Sequence, residues 1–188
     1  MKTNLLVSCV NGNSQRLDGG AMFGNAPRVV WEKWSKPDEQ GRITLACRSL
    51  LIEIENKKIL CETGIGNFFE PKLRDRFGVV ESQHCLIENL TKLGVKDSDI
   101  DFMILSHLHF DHAGGLLTSY DANKESKLLF PNAKYLVGKL AWERANQPHS
   151  RDRASFIPQL QKLLLASGRL IIVDGDSCRE CFPDRLNF

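Results

Sequence analysis

The chain has 188 residues, 42% of them hydrophobic and 26% charged, with a formal net charge of +2. This size and apolar content suit one globular domain, or two small ones, and exclude a disordered chain. So mild a charge excludes nucleic acid or an anionic membrane as the expected partner, and no apolar run reaches the roughly 18–20 residues of a membrane span.

Residues 5–10 read as a strand. Polar Asn11-Gly12-Asn13-Ser14 follows at once, so the apolar opening is too short for a signal-peptide core. Six cysteines, at 9, 47, 61, 85, 178 and 181, are spaced too irregularly for a disulfide framework, and a cytoplasmic protein with reduced thiols is expected. Next come a glycine-rich loop, Leu17-Asp18-Gly19-Gly20-Ala21-Met22-Phe23-Gly24, and loop-like residues 27–41. Residues 42–55 and 59–62 are rich in β-branched and aliphatic side chains and read as a hairpin about Asn56-Lys57-Lys58. Cys85, Leu86, Leu90 and Leu93 share a helical spacing that stops at Gly94. Residues 100–105 suit a buried strand, and 133–137 another. Helices are expected over 141–145 and 156–166, the second with Pro158 in its first turn and Gly168 past its end. A last strand, 170–173, closes at the turn residues Asp174-Gly175-Asp176. Hairpin strands followed by alternating helices and strands give an α/β or mixed layered class.

The chemistry concentrates in Ser106-His107-Leu108-His109-Phe110-Asp111-His112-Ala113-Gly114-Gly115, where three of the five histidines fall within six residues. On an extended backbone, positions two apart face the same side, so His107 and His109 can converge on one ion. Asp111 and His112 lie beyond the strand end, where a turn can aim them at a second ion. Imidazole and carboxylate suit zinc and, less selectively, manganese, iron or cobalt.

The run His107-Leu108-His109-Phe110-Asp111-His112, followed by Ala113-Gly114-Gly115, resembles the signature of the metallo-β-lactamase superfamily. Residues 17–24 with Pro27 and Trp31 resemble the N-terminal loop of its quorum-quenching N-acyl-homoserine lactonase branch. Arg48-Ser49-Leu50-Leu51-Ile52-Glu53, Glu62-Thr63-Gly64-Ile65-Gly66 and Phe130-Pro131-Asn132-Ala133 fall in the family's order. The resemblance implies an αββα sandwich with a two-zinc site at one edge of the β layers. It implies that His107 and His109 bind one metal and Asp111 and His112 the other. Asp111 would also orient the bridging water and protonate the leaving alkoxide, giving a lactonase-like ring opening by a hydroxide held on the metals. A small-molecule substrate such as an acyl lactone follows, with a homodimer left open. Met22, Phe23 and Trp31 are candidates to line an acyl-chain pocket, since such sites are mostly apolar.

Two departures stand out. The family's Asp-Thr-Gly is Glu62-Thr63-Gly64 here, which keeps the charge of an acid that orients metal-binding groups and adds a methylene. The family's downstream Gly-His-Thr loop has no counterpart. His149, in Pro148-His149-Ser150-Arg151-Asp152-Arg153, reads as a surface or pocket-rim residue. The chain thus resembles roughly the first two-thirds of the family domain, either as a fragment whose C-terminal part is missing or as a shortened relative. Cys178-Arg179-Glu180-Cys181 lacks the second pair of a zinc ribbon. Fold does not fix substrate, so another ester, thioester, phosphodiester or β-lactam hydrolase, or a non-catalytic relative, are the alternatives.

Overall fold

The computed structural model describes residues 5–175. Asp176, the Cys178/Cys181 pair and residues 185–188 lie outside them.

Strand β1 (Leu5–Asp18) runs antiparallel to β2 (Arg42–Ile54), from Leu5 opposite Ile54 to Asp18 opposite Arg42. The expected strand end at residue 10 is therefore corrected. Residues 11–14 form a bulge in the ladder, because Asn11 still opposes Arg48 and Ser14 opposes Ala46. Asn13, fully buried in that bulge, accepts from Cys85 N at 3.1 Å and donates to Gln83 O at 2.7 Å. The expected loop over 17–41 holds two short helices, α1 (Gly19–Phe23) and α2 (Arg28–Trp31). Asp18 starts the first by accepting from Ala21 N, the bond expected of an N-cap aspartate.

Strand β3 (Lys57–Cys61) closes the hairpin, with Ile54 opposite Lys57. The turn sits at Glu55-Asn56, earlier than the sequence suggested. Lys57 and Lys58 are held in the ladder by Asp101, which takes Lys57 Nζ at 2.6 Å and Lys58 N at 2.9 Å. After α3 (Pro71–Arg76) and α4 (Cys85–Lys92) come β4 (Phe102–Leu105) and the single turn α5 (Phe110–Ala113). Then follow β5 (Lys134–Gly138), α6 (Lys139–Asn146), α7 (Pro158–Ala166) and β6 (Leu170–Val173).

The strands form one sheet in the order β1-β2-β3-β4-β5-β6, with β3 to β6 parallel. One face presents Leu51, Leu60, Met103, Leu105, Tyr135 and Val137 to Leu86 and Leu90 of α4 and Leu160 and Leu164 of α7. Each fully buried leucine contributes about 1.5–3 kcal/mol relative to exposure. The other face carries a second apolar cluster, Ile59, Phe102 and Leu136, flanked by Ile52, Ile54 and Ile104. Toward β1 that face opens, with Leu5 59% and Val7 50% exposed. The class is the mixed α/β one expected. Of the four layers implied by the resemblance, the described residues form one helical layer and one sheet. No helix among them is long and apolar enough to cross a membrane.

Candidate metal centre

Strands β3 and β4 are parallel neighbours, Cys61 opposite Ile104, so the segments leaving their C-terminal ends emerge side by side. That edge is where parallel sheets place ligands. Glu62 turns there in the left-handed region, φ 63°, with its N–H donating to Ile104 O at 2.9 Å. Its carboxylate takes Ser106 N at 2.7 Å with one oxygen and His112 Nδ1 at 3.1 Å with the other. The next residues clamp the histidine turn: Thr63 N and Oγ1 both donate to His112 O, at 2.9 and 3.0 Å. Gly115 N donates to Gly64 O at 2.9 Å. A Cβ on Gly115 would lie 2.1 Å from Thr63 O, so only glycine lets the two loops meet this closely.

The imidazoles of His107 and His109 are 4.6 Å apart, and those of His107 and His112 4.0 Å. Asp111 Oδ2 lies 3.7 Å from His112 Nε2. The expected pairing of His107 with His109 is present, but β4 ends at Leu105 and His109 is the extended N-cap of α5. Glu62 occupies Nδ1 of His112, and Ser106 Oγ sits 2.9 Å from Nδ1 of His107, leaving Nε2 of both rings for an ion. His109 packs edge-on against Phe156 at 4.6 Å, and its Nε2 faces Asp152 at 4.0 Å, which leaves Nδ1. Two Nε2 atoms, one Nδ1 and a carboxylate, with the rings of His107 and His112 hydrogen-bonded through their other nitrogen, make a donor set that fits zinc or a similar divalent ion. Among the described residues, no three such side chains already surround a common point at bonding distance. The fit is one of donor chemistry and proximity.

Burial lowers His107, helped by the charges of His112 and His109, and burial also lowers His109 against the pull of Asp111 and Asp152. Both rings are thus favoured in the neutral form that ligates metal. Glu62 raises His112 through their hydrogen bond. Burial pushes Glu62 up, but the bonds from His112 and Ser106 outweigh it and hold the carboxyl below its ordinary value.

Phe110 of the turn lines a cleft of about 1130 Å³ together with Phe68, Phe69, Phe77 and Phe156. Charged residues such as Asp121, Lys124 and Lys162 line it as well, and His107, His109, Asp111 and His112 do not. The rings of Phe77 and Phe110 are 4.5 Å apart. Met22, Phe23 and Trp31 do not line this cleft. Phe23 stacks on Trp31 at 5.0 Å, Trp31 is buried against Gly19, and Met22 is exposed. His149 is exposed, its Nδ1 accepting from Arg151 N, and Asp174 pairs with Lys139 at 2.7 Å. Ser106 and Asp152 were given no role at the site from the sequence. Ser106 adjoins the first histidine of the motif, whereas Asp152 stands far from it in sequence with no spacing that marks it.

Residues 42–175, from the second strand to the end of the described chain, match the model of the metallo-beta-lactamase superfamily. The chain belongs to that superfamily. Among members of known structure, a probable metal-dependent hydrolase from Staphylococcus aureus is 30% identical with a TM-score of 0.78, over 93% of this chain and 61% of that one. AidC, a dizinc quorum-quenching lactonase in complex with a homoserine product, is 25% identical with a TM-score of 0.64, over 95% and 61%. A curated protein of Mycobacterium tuberculosis, named a probable metallo-hydrolase, is 33% identical over 84 residues, 39% of this chain and 26% of that protein. The chain therefore spans about three-fifths of the matched superfamily structures and about a quarter of the mycobacterial relative.

Proposed function

We propose that this chain carries a metal-binding site of a hydrolase that opens acyl lactones. The observation that carries the reading is the juxtaposition of the His107, His109, Asp111 and His112 cluster with an apolar cleft through Phe110 and Phe156. When bound, two zinc ions supply Lewis acidity and a nucleophilic water at neutral pH. His107 and His109 would hold one ion, and Asp111 and His112 the other. Glu62 fixes His112 and the Ser106 backbone together, so the ring cannot swing away from Asp111. Asp111 Oδ2 takes the proton of the attacking water and returns it to the leaving alkoxide. The phenylalanine wall excludes water and seats an acyl chain, a role this cleft fills better than Met22, Phe23 and Trp31. The likeness to AidC supports a lactone as substrate.

The test is zinc content together with hydrolysis of N-hexanoyl-homoserine lactone. His107→Ala and His109→Ala should lose most bound zinc, whereas His149→Ala should match the unaltered chain. In a chain that turns over, Asp111→Asn should lower kcat at least about 100-fold with little change in KM. Equal zinc retention in all three histidine variants overturns the centre. Full zinc with cleavage of a phosphodiester or β-lactam, and none of the lactone, overturns the substrate.

A further inference from the structure

We propose that Asp152 is a positioning residue of the metal centre, holding the Nε2 edge of His109 so that Nδ1 is presented to the ion. The inference rests on the reading of His109 as a ligand. Asp152 arrives from the loop between α6 and α7, forty-three positions along the chain, and its Oδ2 stands 4.0 Å from His109 Nε2. That is ion-pair range, longer than a hydrogen bond.

Three observations say that the carboxylate is built for this place. Arg144 of α6 grips Oδ2 with Nε at 2.9 Å and Nη2 at 2.7 Å, which fixes the side chain and keeps it ionised. The main chain is pinned as well, Asp152 N donating to His149 O at 3.1 Å. The other oxygen, Oδ1, is buried without a partner in the protein. A buried, unpaired carboxylate oxygen is costly, and it persists where neighbouring groups over-determine the position.

The same loop fixes the ring from a second side. His109 pairs with Phe156 through an isolated antiparallel bridge, and the two rings meet edge to face. Phe156 blocks rotation while Asp152 selects the tautomer, because a carboxylate accepts only from a protonated Nε2. A proton on Nε2 leaves Nδ1 bare for metal. Carboxylate, imidazole and ion in line is the arrangement that raises ligand basicity and fixes ring orientation.

Asp152→Asn and Asp152→Ala should weaken zinc binding about 10–100-fold in chelator competition. They should also alter the visible absorption of the cobalt-loaded chain and leave the thermal midpoint near that of the exposed-site control Arg151→Ala. In the metal-free chain, nitrogen NMR of His109 should report the Nε2–H tautomer, and Asp152→Ala should turn it into a mixture. Asp152→Glu should recover part of the affinity. Wild-type zinc affinity and an unchanged tautomer in both Asp152 variants, beside a weakened His109→Ala, overturn the positioning role alone. Wild-type affinity in His109→Ala itself overturns the ligand reading on which it rests.

Discussion

The imidazoles of His107 and His112 each have one nitrogen committed to a protein hydrogen bond, and the commitment decides what the other can do. His84 shows the same rule in a structural setting. Its Nε2–H donates to Gly115 O at 3.2 Å, while Nδ1 is buried with no partner. A second proton would place an unpaired N–H and a charge in that space, and burial accordingly lowers the ring below its usual value. The sign follows: as pH falls below about 6.5 the unfolded chain takes up the proton first, so acid favours unfolding. The contribution is complete above that value and is lost as pH falls toward the folded pKa. Denaturation midpoints at pH 5 and pH 8 should therefore lie closer together in His84→Gln than in the unaltered chain. An identical gap in the two would mean that His84 is not held neutral.

At the scale of elements, the centre is a contact between two turns that follow adjacent parallel strands, and glycine makes the contact possible. Gly115→Ala drives a Cβ into the Thr63 carbonyl, a backbone atom that cannot rotate away, and should cost about 3 kcal/mol or more. Urea denaturation measures this, and a cost below about 1 kcal/mol would show that the loops shift freely. The motif, the helical spacing of Cys85, Leu86 and Leu90, and the short strands were all legible in the sequence, because local pattern and buried face agree there. The bulge at residues 11–14 was not, because its bonds go to Glu81, Gln83 and Cys85, 67 to 72 residues away in the chain. Helices α1, α2 and α3 were also missed. They are too short to show a period, and their starts depend on single groups such as Asp18 and Pro71. Asp152 stayed hidden for a related reason: its partners, Arg144 and His109, are assembled only by the packing of α6 against the sheet.

Across the whole molecule, the two faces of the sheet differ. One is covered by helices, whereas the other exposes Leu5, Val7 and Leu50 beside Ile52 and Ile54. An apolar surface of this kind invites association. The chain should scatter light as more than a monomer and bind a hydrophobic dye, and Val7→Lys should reduce both. A monodisperse monomer that ignores the dye would show that the face is covered in solution. The strand order has another consequence. Because neighbours in the sheet are also successive in the chain, each strand leaving the ribosome meets an edge that is already formed. Among the described residues no strand has to be threaded between two finished ones, and each crossover from β3 onward lays its helices over the same face before the next strand docks. The sheet can therefore grow from a single edge in the direction of synthesis.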